Sequence, residues 1–180
     1  NCTEPWARTS RRMETAVVKQ YHGTNFTADV VKMVTIHTRE LDSDHWINHP
    51  VIYSKLSKLF NTNTEYFASP LNFNLAHSNF FSEHTVDQLF GSLGNSWNAT
   101  WHKSGVANPI FKLDDIVKTF AYAKKFAQKP NPASYEPYQY IVTIPLWKSM
   151  GAQYMHFTRD QCVHPLFTFD TEKYCFHGPW

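Results

Sequence analysis

Gly105-Val106-Ala107-Asn108-Pro109-Ile110-Phe111 decides the fold. Residues 106–111 read as a strand with an apolar approach, ending in an Asn-Pro turn. An amphipathic helix follows, with Leu113, Ile116, Val117, Phe120, Ala121 and Phe126 on one face and Lys118, Lys124, Lys125 and Lys129 opposite. Pro130-Asn131-Pro132 stops the helix, and Tyr140-Ile141-Val142-Thr143-Ile144 is a β-branched strand stopped by Pro145. Strand, helix and strand in succession predict an α/β sheet, whose ligands sit at the carboxyl ends of the strands. Asn108-Pro109 lies at such an end. The Asn side-chain oxygen and the Pro109 carbonyl suit an exocyclic amine as acceptors, and the Phe111 ring suits stacking on a flat heterocycle. The bland account of these four residues is an ordinary turn and a core ring.

Working outward, the elements upstream fit the same pattern. Val51, Ile52, Leu56, Leu59 and Phe60 recur at helical spacing after Pro50, and Asn61-Thr62-Asn63 ends that helix. Residues 65–69 read as a strand stopped by Pro70. Leu89-Phe90-Gly91-Ser92-Leu93-Gly94 is a short apolar piece running into a Gly turn. Residues 28–41 suit a strand or a short helix, and residues 163–169 and 174–177 read as two later strands. The expected organisation is a segment of unclear fold over residues 1–50 and a catalytic-type α/β domain over residues 51–180.

Composition sets the outer limits. The 180 residues make one domain with a real core, and 42% apolar and 16% aromatic content excludes a disordered chain. A net charge of +2 permits a local nucleic-acid patch without announcing one. Arg8, Arg11, Arg12 and Lys19 cluster early, and with the helix lysines they read first as solvated surface. Three cysteines, Cys2, Cys162 and Cys175, are too few for a disulfide scaffold, although the last two could pair on adjacent strands; a reducing, intracellular compartment is expected. No apolar run has the length of a membrane span. The N-x-T triplets at Asn1, Asn25 and Asn98 read as chance matches, and a chain beginning at Asn suggests a processed product or a fragment.

Other chemistry-bearing residues have weaker patterns. His45 and His49 have the spacing of two helical metal ligands, but Pro50 interrupts the helix and no third ligand follows, so no metal is expected. Cys162 and His164 share a face of the later strand without an accompanying oxyanion site. Phe73, Phe80, Phe81, Trp97 and Trp101 could clamp a nucleotide; core packing is the commoner use of such rings.

Four segments taken together resemble one family. They are Glu65-Tyr66-Phe67-Ala68-Ser69-Pro70-Leu71-Asn72, Phe90-Gly91-Ser92-Leu93-Gly94, Ala107-Asn108-Pro109-Ile110-Phe111 and Tyr140-Ile141-Val142-Thr143-Ile144-Pro145-Leu146-Trp147. Their order and spacing are similar to the methyltransferase domain of the phosphorylated-CTD-interacting factor family, from about Pro50 onward. Those enzymes methylate N6 of the adenosine next to the mRNA cap with S-adenosylmethionine (SAM). The resemblance implies a Rossmann-like SAM-dependent methyltransferase sheet, here expected to be truncated, with RNA as substrate. Asn108, Pro109 and Phe111 fall on the family's catalytic motif. Ser69, Pro70 and Asn72 fall on the loop near the SAM methionine moiety, and Gly91 and Ser92 on a second cofactor-side turn.

Three features depart from the family pattern. Ile110 replaces a second proline, Val106 stands where an acidic residue is expected, and the chain stops at Trp180 without the accompanying helical region. Two readings therefore stand. One is an active adenine N6-methyltransferase acting on RNA; the other is an inactive relative serving as a scaffold or RNA-binding component of a larger ribonucleoprotein assembly.

Overall fold

The computed structural model describes residues 17–39, 50–74, 76–146 and 151–168. Within them lies a mixed α/β unit built on a four-stranded, wholly parallel sheet. The strands are β1 (Thr64–Tyr66), β2 (Asn79–Phe80), β3 (Gly105–Ala107) and β4 (Tyr140–Val142), and their order across the sheet is β2-β1-β3-β4. Helices α1 (Phe26–Arg39), α2 (Pro50–Phe60), α3 (Leu113–Ala127) and α4 (Gly151–Arg159) surround it, with 3-10 helices at Thr85–Phe90 and Ser96–Asn98.

Each element has a local cause. The strand-or-helix segment expected over residues 28–41 is helical over its described part, residues 28–39, and Asn25 caps α1 by accepting from the Ala28 N–H at 3.2 Å; residues 40 and 41 lie outside the described residues. Helix α2 ends where Asn61 turns left-handed (φ 49°), and the Thr62 N–H closes the end on the Ser57 carbonyl at 3.2 Å. Its buried face carries Tyr53 and Leu56, whereas Val51 and Leu59 face outward. In α3 the buried positions are Ile116, Thr119, Ala123 and Phe126. Leu113 and Val117, expected in the core, are exposed, and Thr119 sits inside because its hydroxyl donates to the Asp115 carbonyl at 2.7 Å.

The strands are shorter than their apolar runs. Phe67 adopts φ 66° and breaks the strand expected over residues 65–69 after Tyr66. The strand expected over residues 106–111 spans Gly105–Ala107, so Asn108 begins the loop. The 89–94 piece is the end of a 3-10 helix capped by left-handed Gly91 (φ 93°). Residues 163–168 are irregular rather than a strand, and α4 forms in their stead just upstream. Residues 174–177 lie outside the described residues.

The two faces of the sheet are covered differently. On one face Tyr66, Ala107, Tyr140 and Val142 pack against Trp101, Ala123 and Phe126, from the β2–β3 crossover and α3. On the other, Val106 and Ile141 meet Tyr53 and Leu56 of α2. The β1–β2 connection lies on this second side, since Phe73 stacks on Phe80 at 4.4 Å and the Asn74 N–H reaches Glu65. Connections running one way along the sheet thus cover one face and the connection running the other way covers the opposite face, as right-handed crossovers require.

Two contacts dictate residue identity. A Cβ at Gly105 would lie 2.5 Å from the Thr64 carbonyl oxygen and 2.8 Å from the Tyr66 ring. Gly105→Ala is expected to lower unfolding free energy by about 1–3 kcal/mol through overpacking, read by urea denaturation. Helix α1 docks through Met33 on Val86 and Phe90, and through His37 Nε2, which lies 2.9 Å from an oxygen of fully buried Asp87. Ser82 Oγ donates to the same carboxyl group. Asp87→Ala leaves both partners without their acceptor, and a loss of about 3 kcal/mol or more is expected in the same measurement. Wild-type stability in either variant would contradict this packing.

Candidate functional site

The order β2-β1-β3-β4 places a winding reversal between β1 and β3: the chain proceeds from β1 to one side and from β3 to the other. Such a reversal leaves a crevice beyond the carboxyl ends of the two strands. Tyr66 is in register with Ala107, so the loops that follow them start side by side. One carries Ser69, Pro70 and Asn72; the other carries Asn108, Pro109 and Phe111. The Gly91-Ser92 turn joins the same edge beyond β2, for Leu93 N–H bonds the Phe80 carbonyl at 2.9 Å and Ser82 N–H the Gly94 carbonyl at 3.0 Å. On the far side Thr143 N–H continues the ladder to Ala107 at 3.0 Å, which brings Pro145 to this edge as well.

The loop after β1 is held by its own polar groups. Asn72 Oδ1 accepts from the Ser69 N–H at 2.6 Å, and Ser69 Oγ from the Leu71 N–H at 3.3 Å. The Ser69 carbonyl accepts from the Asn72 and Phe73 N–H groups at 3.1 and 3.0 Å. These bonds consume acceptor capacity; the Ser69 hydroxyl hydrogen and the Asn72 NH2 are the donors left to the loop. That donor set fits an anionic carboxylate or a sugar hydroxyl.

Around Asn108 the picture is mixed. Asn108 and Ile110 are half-buried and Pro109 is buried. Phe111 is 7% exposed and stands two residues before the start of α3. Gly91 needs its left-handed backbone, and a Cβ there would fall 2.6 Å from Gln20 Oε1. Ser92 is buried, its N–H on the Asp87 carbonyl at 3.1 Å and its Oγ accepting from the Gly94 N–H at 3.1 Å.

Most aromatic candidates are core. Phe73, Phe80 and Trp101 are buried, and Phe81 stacks on Tyr66 at 5.2 Å. Trp97 is half-buried beneath Lys118, whose Nζ is 4.1 Å from the ring centre. Burial pushes the Tyr66 and Tyr140 phenols up, so both stay protonated and donate, to the Lys103 and Trp101 carbonyls. Cys162 and His164 are exposed beyond α4 and share no strand face. His45, His49, Cys2, Cys175, Arg8, Arg11 and Arg12 lie outside the described residues. Among the described residues no helix is long and apolar enough to cross a membrane.

Sequence reasoning overlooked the buried polar groups near this edge: Glu65, His77, Asp87 and the side-chain oxygen of Gln20. Glu65 was hidden inside a strand pattern, and only the pairing of β1 between two neighbours shows that its side chain is enclosed.

Residues 16–175 match the family model described as the phosphorylated CTD interacting factor 1 WW domain. The match reaches past Pro50 into the leading segment, which the four motif segments did not cover. No curated protein matches the chain. With most of its length matched, the chain belongs to the phosphorylated CTD interacting factor 1 WW domain family.

Proposed function

We propose that this chain is a SAM-dependent adenine N6-methyltransferase acting on RNA, with a cap-adjacent adenosine as substrate and a Rossmann-like methyltransferase sheet as its frame. The observation that carries the reading is topological. The Ser69-Pro70 and Asn108-Pro109 loops leave adjacent parallel strands where the winding reverses. Family membership supports it, and so does the resemblance of both loops, read from their sequence, to methyltransferase motifs.

In this reading SAM supplies a sulfonium methyl group, and Ser69, Pro70, Asn72, Gly91 and Ser92 hold it along the strand edge. Donors for it are the Ser69 hydroxyl and the Asn72 NH2. Asn108 Oδ1 and the Pro109 carbonyl accept from the adenine N6 hydrogens. An aromatic amine is a poor nucleophile because its lone pair is delocalised into the ring. Two acceptors draw density back onto nitrogen as the new bond forms, an interaction strongest in the transition state. Positioning at a near-attack separation of about 3–3.5 Å supplies much of the remainder. Pro109 fixes the backbone so that its carbonyl keeps one direction. Stacking by Phe111 requires its ring to turn out of its present packing. Ile110, without proline's fixed φ, gives that loop the freedom to do so.

A second reading has its own support. Ile110 and Val106 depart from the family's catalytic pattern, which suits an inactive subunit acting as a scaffold or RNA-binding component. The family's name refers to interaction with a phosphorylated CTD, and a phosphorylated protein partner belongs to this second reading.

The two separate in one series. SAM at about 100 times its dissociation constant is expected to add about 2.7 kcal/mol of stability, read as a rise in Tm. Asn108→Ala should keep SAM affinity within about twofold and lower methyl transfer to adenine-containing RNA by about 100-fold or more. No thermal shift at millimolar SAM would leave only the scaffold reading. Unfolding of Asn108→Ala would make that residue structural.

A further inference from the structure

Glu65 stands in the middle of β1, in register with Phe80 on one side and Val106 on the other, and is 2% exposed. Its register partner Val106 belongs to an apolar cluster with Ile141 on the sheet and Tyr53 and Leu56 on α2. A branched aliphatic residue is the ordinary occupant of such a strand position. A carboxyl group there must be hydrogen-bonded to offset its desolvation.

Its bond goes to the loop above. The N–H groups of Ser69, Leu71, Asn72 and Phe73 find acceptors inside the loop. The Asn74 N–H reaches out of it, donating to Glu65 Oε2 at 2.7 Å. Asn74 then folds the next turn, accepting from the Ala76 N–H at its side-chain oxygen (2.8 Å) and from the His77 N–H at its carbonyl (2.9 Å). His77 is buried behind the same carboxyl group, its Nδ1 3.5 Å from Oε2 without hydrogen-bond alignment, and its ring meets Tyr53 edge-on at 5.7 Å.

We propose that Glu65 is a positioning residue: its carboxyl oxygen fixes the Asn74 end of the Ser69–Asn74 loop to the sheet, and so sets the affinity of that loop for SAM. This rests on the methyltransferase reading above. The Ser69 carbonyl gathers the Asn72 and Phe73 N–H groups into one turn, and Asn74 follows directly. Releasing Asn74 therefore lets the turn open at the end opposite β1, displacing the Asn72 NH2 and the Ser69 hydroxyl together.

Three substitutions and two readouts test it. Glu65→Asp keeps the carboxyl group but falls a methylene short of Asn74. Glu65→Leu fills the apolar space and removes the acceptor. Glu65→Gln keeps an oxygen at the right reach. The readouts are amide hydrogen exchange at Asn74, which needs no ligand, and SAM titration with KM for SAM set against kcat on adenine-containing RNA. In Glu65→Asp and Glu65→Leu, Asn74 exchange and KM for SAM should each rise about tenfold, the worth of one buried hydrogen bond, with kcat at saturating SAM unchanged. Glu65→Gln should restore both. A merely structural role would lower kcat through the folded fraction and leave KM alone. If Glu65→Leu does not fold, Glu65→Asp decides on the same readouts. Wild-type Asn74 exchange or wild-type KM in Glu65→Asp overturns the proposal. A wild-type protein that binds no SAM overturns instead the methyltransferase reading, and the cofactor part of this proposal with it.

Discussion

The stack of Tyr66 on Trp101 is the contact on which the other parts depend. Their ring centres are 4.0 Å apart and nearly parallel, and Trp101 is wholly enclosed. The strands are two or three residues long, too short for ladder bonds to hold a parallel sheet alone. What fixes them is the aromatic layer on one face, in which Trp101 and the tyrosines hand their polar tips to backbone carbonyls. Trp101 Nε1 donates to Ser96, Tyr66 to Lys103, Tyr140 to Trp101 and Tyr122 to Trp97, over 2.6–3.0 Å. The crossover between β2 and β3 is thereby bonded to β1, β4 and α3 at once. Buried aromatics with satisfied polar ends combine apolar area with direction, so they specify register where short strands cannot. Gly105 follows from the same layer, since the Tyr66 ring occupies the space of its Cβ.

What could be read from the sequence tracks how local its cause is. Helices α2 and α3 were legible because their periodic apolar residues and their stops at Asn61 and Pro130 lie within one short window. The burial of Thr119 in α3 was not, because it depends on a backbone acceptor one turn back together with the packing of the sheet. Strand starts were readable and strand ends were not: Phe67 turns left-handed, an option that propensity for an aromatic residue argues against. Strand β2 is two residues long and is defined by pairing to β1, so no local pattern marks it. Residues 163–168 are apolar enough to suggest a strand yet find no sheet neighbour, and α4 ends just before them.

The candidate site divides along the same line. Asn108-Pro109 and Ser69-Pro70 were visible as strand-end motifs, since proline both stops a strand and shapes the turn after it. Their adjacency follows from strand order, which depends on long-range pairing. Phe111, the ring that the motif assigns to stacking, is buried at 7% exposure, a property that the motif alone does not reveal. The polar groups beneath the edge were invisible because a lone Glu or Asp in a sequence reads as surface.

Those buried groups give the edge its logic. Asp87 lies under the Gly91-Ser92 turn, taking Ser82 and His37 on its carboxyl group while its backbone carbonyl takes the Ser92 N–H. Glu65 lies under the Ser69–Asn74 loop and takes the Asn74 N–H. Two of the loops at the carboxyl edge thus rest on a buried acidic residue, the Ser69–Asn74 loop on the Glu65 carboxyl group and the Gly91-Ser92 turn on the Asp87 backbone carbonyl. A tie of this kind costs desolvation, and a fully apolar core would serve bare stability better. What it gives in exchange is a directional bond between the loop and the sheet, and the proposed methyl transfer, which relies on positioning rather than on a strong base, would draw on such fixed geometry. Asn108 and the Pro109 carbonyl supply no strong base. Any chemistry they perform depends on geometry, and Asn108 takes its place from β3, whose last residue, Ala107, is in register with Tyr66 on the neighbouring strand.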